Sequence, residues 1–318
     1  MKLWNSFLMM QTDLAQTATS GLVVTIGNFD GVHRGHQKIL ERVKAISSAN
    51  DWLAVVVTFR EHTAKILKAE TPGLLMSVEE RCACFAEKGI DGTLLLEFTP
   101  ELAQMAPTRF LDRLLDLGVR ALVVGHDFTF GAGGAGDTNL ILTSMQKKGL
   151  YGEVVAPVKV QGKIVSSTQI RAFLQRGQVE AANVMLNRPF TLAGIVRRGQ
   201  GLGKNLGFPT ANLAYPPDRL LPKFGAYFVR VILNGEVYYG LANVGCKPTF
   251  DHHVPLVEVF IDRFSREIYG ELLTVEFLHF LREEQKFASP EALKAQLLRD
   301  QKQGEALRRS MISQEACN

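Results

Sequence analysis

The chain has 318 residues, a length that favours two domains rather than one. Hydrophobic residues make up 46% of it, as in ordinary globular proteins, and its net charge of +4 is too small for a nucleic-acid-binding surface. No apolar run reaches the roughly 20 residues of a membrane span, and the four cysteines lack the spacing of zinc ligands. The first residues also lack the apolar segment of a secretory signal. We therefore expect a cytoplasmic protein with reduced thiols that binds neither nucleic acid nor membrane, and the oligomeric state stays open.

The first half of the chain alternates apolar runs with amphipathic segments, a pattern typical of a parallel sheet covered by helices. The apolar runs predict strands at 22–26, 53–59, 93–97, 121–125 and 153–158. Helical spacing predicts helices at 36–48, 78–88, 107–117, 138–148, 167–176 and 179–186. Arg188-Pro189-Phe190 then interrupts the pattern, so we expect one domain at residues 1–186 and a second at residues 187–318.

The second half alternates β-branched and aromatic residues with polar ones in short runs. These runs predict strands at 191–197, 226–233, 237–243, 255–262 and 272–278. Asn234-Gly235 between two of them is a type I′ hairpin signal, so a small β-barrel is expected. Ser289 followed by Pro290 predicts the start of a C-terminal helix, because serine caps helices and proline is tolerated in the first turn.

The segment between the first predicted strand and the first predicted helix is rich in glycine and carries two histidines. It reads Gly27-Asn28-Phe29-Asp30-Gly31-Val32-His33-Arg34-Gly35-His36. Such loops bind phosphates in doubly wound sheets, because the helix N-terminus presents free N–H groups and the positive end of its dipole. His33 and His36 can face one ligand from a single helical turn. A structural histidine pair or half of a metal site is the alternative that the spacing alone leaves open.

A second glycine-rich segment, residues 199–212, has a different design. Its glycines can present successive N–H groups to phosphate oxygens: Gly199, Gly201 and Gly203. In an extended segment Thr210 and Asn212 face one side, and their neutral oxygens suit a Mg²⁺ that also holds nucleotide phosphates. The segment is not a P-loop, because Asn205 follows Lys204 where serine or threonine is required.

Several further segments complete a set that extends over most of the chain. They are Val165-Ser166-Ser167-Thr168-Gln169-Ile170-Arg171, Leu206-Gly207-Phe208-Pro209-Thr210-Ala211-Asn212, Ala242-Asn243-Val244-Gly245 with Lys247-Pro248-Thr249-Phe250, and Val257-Glu258-Val259. The His-x-Gly-His of residues 33–36 resembles the signature of the nucleotidylyltransferase superfamily. Taken together, the segments resemble the bacterial bifunctional riboflavin kinase/FAD synthetases, with the adenylyltransferase half first.

This resemblance implies both a fold and an activity. The expected fold is an N-terminal Rossmann-like nucleotidylyltransferase domain with a parallel sheet, followed by a small β-barrel riboflavin kinase domain with a terminal helix. The implied reactions are ATP-dependent phosphorylation of riboflavin to FMN and adenylylation of FMN to FAD with release of pyrophosphate. The implied ligands are ATP, riboflavin, FMN, FAD and Mg²⁺.

In the first half, the resemblance makes His33 and His36 the catalytic residues that act on the ATP phosphates. It assigns ATP binding to Gly27, Asn28, Phe29, Gly35, Asp127, Ser167, Thr168 and Arg171. Phe128 and Phe130 would border the flavin, although two core aromatics at a strand end are an equally good interpretation. The FMN phosphate is itself the nucleophile, so the protein must align two substrates and neutralise charge.

In the second half, the resemblance makes Glu258 the general base that accepts the proton of the riboflavin 5′-hydroxyl. Thr210 and Asn212 would hold the metal, Asn243 would contact the flavin, and ATP would bind at Gly201, Gly203 and Lys204. Alternation along the strand places Glu258 on the face opposite Val257 and Val259. Without the resemblance, a glutamate on such a strand is more often a solvated surface residue.

Two departures from the family pattern lie in the first half. Thr58-Phe59-Arg60-Glu61-His62-Thr63 keeps only the histidine of the family's Pro-His-Pro, and Ala132–Gly136 lies where basic residues are usual. Gly131–Gly136 also fits a dinucleotide fingerprint, but it follows the fourth strand and not the first, so we expect no NAD site. The departures leave two alternatives open: a riboflavin kinase with a weak or inactive adenylyltransferase half, and a non-catalytic flavin-binding regulator.

Overall fold

The computed structural model describes residues 1–17, 19–67, 72–199, 203, 207–248 and 253–315. The chain divides into two compact units, Met1–Ser167 and Thr168–Asn318. Within the described ranges, no helix has both the length and the apolarity needed to cross a bilayer.

The first unit is built on six parallel strands covered by helices. The strands are β1 (Lys2–Trp4), β2 (Leu22–Ile26), β3 (Leu53–Phe59), β4 (Gly92–Leu96), β5 (Val119–Gly125) and β6 (Tyr151–Val155). The helices are α1 (Phe7–Ala15), α2 (Arg34–Asn50), α3 (Ala64–Leu67), α4 (Val78–Glu87), α5 (Pro100–Ala103), α6 (Pro107–Leu115) and α7 (Thr138–Lys147). A short hairpin of β7 (Lys159–Val160) and β8 (Lys163–Ile164) follows the last strand of the sheet. The predicted parallel sheet is confirmed.

The strand order β1-β4-β3-β2-β5-β6 reverses direction beside β2. The chain runs outward from β2 through β3 to β4, and then returns to place β5 on the other side of β2. In an open parallel sheet, the crevice at the carboxyl ends of the strands at such a switch point is where ligands bind. The loops that follow β2 and β5 therefore flank the expected ligand crevice of this unit.

The sheet is buried on both faces. Along β2, Val24 and Ile26 belong to one apolar cluster, with α1, α6 and α7, whereas Val23 belongs to the opposite cluster, with α2 and α4. All five residues of β2 are buried, which is why this strand reads as a continuous apolar run and not as an alternation.

The second unit is a closed barrel of six strands with helices at both ends of its sequence. It contains α8 (Ser167–Gln175), α9 (Val179–Leu186), β9 (Phe190–Arg197), β10 (Thr210–Ala214), β11 (Gly225–Leu233), β12 (Glu236–Pro248), β13 (His253–Ile261), β14 (Leu272–Glu283) and α10 (Pro290–Glu315). The strands close in the order β10-β13-β12-β11-β14-β9. The predicted barrel and terminal helix are confirmed, and Ser289 caps α10 by accepting a hydrogen bond from the Ala292 N–H at 3.2 Å.

Sequence reasoning missed several short elements, among them β1, α1, α3 and α5. β1 has only three residues and gains its stability by pairing with β4 along the sheet edge. The sequence predicts β10 only as an extended segment, because Thr210–Ala214 lacks the aromatic and β-branched enrichment of a strand. The last strand of the sheet, predicted at 153–158, lies at Tyr151–Val155, a shift within the usual uncertainty of element ends.

Helix α9 is part of the barrel unit. Val179, Met185 and Leu186 are buried, and the Asn183 side chain donates to the Phe277 carbonyl at 2.8 Å and accepts from the Phe190 N–H at 2.7 Å. The contact boundary between the units lies after Ser167, the first residue of α8, whereas the change in sequence pattern predicts a boundary near residue 187. As a division of activities, the boundary near 187 stays a prediction.

We predict that a fragment of residues 168–318 is more stable than one of residues 187–318. The shorter fragment lacks both α8 and α9. Fully burying an apolar side chain contributes about 1.5–3 kcal/mol, so loss of the two helices removes several kcal/mol from the barrel unit. Urea unfolding followed by far-UV circular dichroism measures the difference as a lower midpoint for the shorter fragment. Equal midpoints would show that α8 and α9 add nothing to the stability of the barrel.

Candidate active sites

The loop between β2 and α2 is held in an unusual backbone conformation. Phe29, Gly31 and Val32 have positive φ angles of 52°, 82° and 34°. A left-handed conformation costs a non-glycine residue of order 1–3 kcal/mol, so neighbouring contacts must fix the loop. Phe29 supplies one of them: its ring is 2% exposed and packs edge-on against Phe85 of α4, with ring centroids 5.5 Å apart.

The two histidines lie at the start of α2, as predicted. His33 is the N-cap residue, and its Nδ1 accepts a hydrogen bond from the His36 N–H at 3.3 Å. When His33 is neutral, its proton is therefore on Nε2, which can donate to an anion. The imidazole rings stack with centroids 3.6 Å apart and an interplanar angle of 14°. A Cβ atom at Gly35 would lie 3.1 Å from His33 Cε1, so glycine leaves room for this stack.

Further contacts fix the loop by its polar groups. The Asp30 carboxylate is buried and accepts hydrogen bonds from the N–H groups of Leu75, at 3.0 and 3.1 Å, and Met76, at 3.1 Å. The Ser167 hydroxyl donates to the Asp30 carbonyl at 2.8 Å, which joins two of the predicted ATP-binding segments. The Asn28 side chain donates to Thr63 Oγ1 at 3.0 Å.

The other predicted residues of the first unit and of α8 have mixed surroundings. Asp127 follows β5 with its side chain 79% exposed. Phe128 is partly buried and stacks on Phe130, which is 9% exposed and part of the core. On α8, Thr168 is exposed and Arg171 is buried. The packing of Phe130 agrees with the core interpretation, and its contact with flavin stays a prediction.

The glycine-rich turn after β5 has a packing explanation. Gly131 has φ 73°, and a Cβ atom there would lie 2.5 Å from Pro107 Cγ. At Gly136 a Cβ atom would lie 2.7 Å from the Phe130 ring. These glycines therefore let the turn pack on α6 and on Phe130, with no need for a dinucleotide.

In the barrel, three predicted residues lie in one row across adjacent strands. Glu258 of β13 is paired with Asn212 of β10 on one side and with Asn243 of β12 on the other. Directly paired residues project to the same face with Cβ atoms about 4.5–5.5 Å apart, so two amides flank the carboxylate. Val257 and Val259 are buried while Glu258 is partly exposed, which confirms the predicted alternation.

Asn212 also lies against the first glycine of the glycine-rich segment. A Cβ atom at Gly199 would lie 2.2 Å from Asn212 Nδ2, so no other residue fits there while the amide keeps this position. Thr210 and Asn212 share one face of β10, and a Cβ atom at Gly203 would lie 3.6 Å from Thr210 Oγ1. Gly201 and Lys204 lie outside the described residues.

Sequence reasoning missed the residues that support these loops. Arg81 is buried on α4 with its polar atoms toward the loop after β2. The signal was present in the sequence, because Arg81 precedes the buried Phe85 by four residues and must share its face of the helix. An arginine on the apolar face of an amphipathic helix indicates a buried polar contact.

The fold and the two sites define a protein class with a nucleotidyltransferase-like first unit and a kinase-like barrel. Residues 15–169 match the family model described as FAD synthetase, and residues 186–307 match the one described as riboflavin kinase. The chain is 39% identical over 284 residues to a bifunctional riboflavin kinase/FMN adenylyltransferase from Pseudomonas fluorescens, covering 88% of this chain and 91% of that one. Its counterpart in Bacillus subtilis is 34% identical over 287 residues, covering 88% and 90%. The chain belongs to this family of bifunctional riboflavin kinase/FMN adenylyltransferases.

A solved structure is similar over nearly the whole length. A crystal structure named as a macrolide-efflux protein from Streptococcus pneumoniae has a TM-score of 0.83 and 28% identity, covering 91% of this chain and 95% of that one. The name macrolide-efflux protein describes the Streptococcus pneumoniae structure and is not carried over to this chain.

We predict that Asp30→Asn destabilises the first unit by about 1.5–3 kcal/mol, because a charged acceptor of backbone N–H groups is replaced by a neutral amide in a buried position. Asp137→Asn is the matched control. Asp137 is an exposed N-cap that accepts from the Leu140 N–H at 2.8 Å, and asparagine caps helices equally well. Urea unfolding of the full chain measures both variants. A cost at Asp30 no larger than at Asp137 would show that the buried carboxylate does not stabilise the loop.

Proposed function

We infer that this chain makes FMN from riboflavin and ATP, and then FAD from FMN and a second ATP with release of pyrophosphate. The observation that supports this most strongly is that relatives named for both activities match along nearly the full chain, while each half matches its own family model. The small-molecule substrates follow from these two activities. We further propose that the protein acts in the cytoplasm.

For adenylyl transfer, we propose that ATP binds in the crevice at the switch point of the sheet. The N-terminus of α2, with the positive end of its dipole, would attract the phosphates, and Nε2 of His33 would donate a hydrogen bond to them. His36, stacked on His33, would stabilise the charge that builds on the α-phosphate and on the leaving pyrophosphate. The oxygen of the FMN phosphate would attack the α-phosphorus directly, so no enzyme nucleophile is needed. Asp127, Ser167, Thr168 and Arg171 are proposed as further ATP contacts, and Phe128 and Phe130 as flavin contacts.

For phosphorylation of riboflavin, we propose Glu258 as the base. The carboxylate of this partly exposed residue, flanked by Asn212 and Asn243, could accept the proton of the ribityl 5′-hydroxyl as the hydroxyl oxygen attacks the γ-phosphorus and ADP leaves. We propose that Asn243 contacts the flavin and that the glycine-rich segment, with Gly201, Gly203 and Lys204, binds the ATP phosphates.

A magnesium ion fits the donors of the barrel site. Thr210 and Asn212 present a hydroxyl and an amide oxygen on one face of β10, beside the carboxylate of Glu258. Hard neutral oxygens of this kind suit Mg²⁺, which usually keeps further positions for water and nucleotide phosphates. When bound, the ion would neutralise phosphate charge, while Thr210 and Asn212 would fix its position.

The departures at 60–63 and 132–136 favour one competing interpretation, a kinase with a slow or silent adenylyltransferase half. In this chain His62 accepts a hydrogen bond at Nδ1 from the Ala64 N–H at 3.1 Å. Thr63 Oγ1 accepts a hydrogen bond from the Asn28 side chain at 3.0 Å. Both residues thus have local structural roles close to the loop after β2. Chromatography of the products formed from riboflavin, ATP and Mg²⁺ separates the interpretations: FMN and FAD, FMN alone, or neither.

We predict that His36→Ala abolishes FAD formation while leaving FMN formation nearly intact. Loss of one group that stabilises developing phosphate charge lowers kcat about 10²-fold or more. FAD formation from FMN and FMN formation from riboflavin are measured separately on the same protein preparation. The kinase reaction is therefore the internal control. Equal loss of both activities would mean that His36 has a general structural role.

We predict the reciprocal result for Glu258→Gln: kinase activity is lost and FAD still forms from added FMN. The amide keeps the shape of the side chain but cannot accept a proton, so kcat falls by about 10²- to 10⁴-fold. Glu236→Gln is the matched control, since Glu236 is exposed on β12 of the same barrel. More than half of the wild-type kcat in Glu258→Gln would exclude this residue as the base.

A further inference from the structure

Arg81 of α4 is a buried cation beneath the loop that joins β2 to α2. The residue is 4% exposed. One terminal nitrogen, Nη1, donates to the Asn28 carbonyl and, at 3.1 Å, to Thr58 Oγ1. The other, Nη2, donates to the Phe59 carbonyl at 2.9 Å. Through Arg81, the helix α4 is therefore tied both to the end of β3 and to the loop after β2.

The Asn28 carbonyl is the point where these contacts meet. It accepts from Arg81 Nη1 and also from the Thr58 hydroxyl at 3.3 Å. Asn28 precedes Phe29, the first residue of the loop with a positive φ. Two donors on this one carbonyl fix the plane of the peptide bond that leads into the strained turn. The orientation of His33 and of the α2 N-terminus is set by that turn.

Among the described residues, no carboxylate forms a direct ion pair with Arg81. Its hydrogen-bond acceptors are two carbonyls and a hydroxyl, and the described residues supply no carboxylate within ion-pair distance. Burial lowers the pKa of the Arg81 guanidinium, and the charge of Asp30 partly offsets this effect. An unpaired buried cation is unfavourable for folding, so a stabilising role alone does not explain its presence. A polyanionic ligand bound above the loop would place further negative charge near this buried cation.

We propose that Arg81 is a positioning residue for adenylyl transfer: it fixes the Asn28 peptide and places a permanent positive charge beneath the nucleotide phosphates. This inference rests on the proposed function of the first unit. Lysine would keep the charge, but it lacks the planar fork that reaches Asn28, Thr58 and Phe59 together. The two parts of the role can therefore be separated by substitution.

Three variants of the full chain test the proposal. Arg81→Met removes the charge and the fork, and Arg81→Lys keeps the charge. Thr58→Val keeps the Arg81 fork and removes the second donor to Asn28 together with one acceptor of Arg81. FAD formation from FMN and ATP gives kcat and KM. Inhibition by added pyrophosphate measures how strongly the positive charge of Arg81 favours binding of an anion. Riboflavin phosphorylation checks the second unit, and thermal unfolding gives the stability of each variant.

We expect Arg81→Met to lower kcat about 10²-fold, as for a small misplacement of reacting groups, and to weaken inhibition by pyrophosphate at least about tenfold. Arg81→Lys and Thr58→Val should each lower kcat severalfold, by less than about tenfold, and keep the inhibition. Riboflavin phosphorylation should stay within about twofold of wild type throughout, because its chemistry lies in the barrel.

Several results would overturn the proposal. They are an Arg81→Met variant with more than half of the wild-type kcat, an Arg81→Lys variant as defective as Arg81→Met, and unchanged pyrophosphate inhibition in Arg81→Met. If Arg81→Met fails to fold, Arg81→Lys and Thr58→Val decide, because wild-type kcat in both of them would show that the donors to Asn28 do not position the loop. A wild-type chain that forms FMN but no FAD would instead overturn the proposed function of the first unit.

Discussion

The conformation of the turn after β2 is the constraint on which the first unit depends. Phe29 and Val32 adopt backbone angles that are unfavourable for side chains of their kind. The turn persists because buried contacts fix it at successive residues: the Phe29 ring on Phe85, the Asp30 carboxylate on the N–H groups before α4, and the Asn28 carbonyl on Arg81. In return, α2 begins at a fixed place, with its N–H groups toward the switch point of the sheet. The strained turn and the proposed ligand site are thus parts of one arrangement.

Helix α4 has a larger role in this arrangement than its sequence suggests. Its capping box, formed by Ser77 and Glu80, fixes the start of the helix. The two residues before that cap bind the Asp30 carboxylate, and the residue after Glu80 is Arg81. One helix start therefore supports the loop after β2 at two points. Because the support is buried, changes there are expected to act on the chemistry without touching a substrate.

In the barrel, the residues of the candidate site are brought together by the register of the strands. Closure fixes how far each strand is shifted against its neighbours, and this shift decides which residues lie side by side. Asn212 comes from β10, whereas Asn243 and Glu258 come from the consecutive strands β12 and β13, yet the three residues form one row. A one-residue slip of β13 would turn Glu258 to the interior and bring a valine into the row. The barrel therefore needs its whole hydrogen-bond ladder to keep a carboxylate between two amides.

Much of this protein could be predicted from the sequence alone. Continuous apolar runs predicted β2 and β3 at their observed bounds, because a parallel sheet buries both faces of its strands. Alternation predicted that Glu258 faces away from Val257 and Val259, and helical spacing predicted that His33 and His36 share one turn. These features are local, so the period of the side chains is enough to reveal them.

The tertiary structure alone decided the partners of these residues. The bond from Ser167 to the Asp30 carbonyl and the burial of Arg81 against Asn28 depend on contacts between distant segments. So does the contact of Gly199 with the Asn212 amide, which gives that glycine a steric reason that composition cannot show. A sequence pattern shows which face of a helix or strand is buried, but it does not show which residues that face contacts. The identity of its neighbours is set only when the strand order of the sheet and the register of the barrel are fixed.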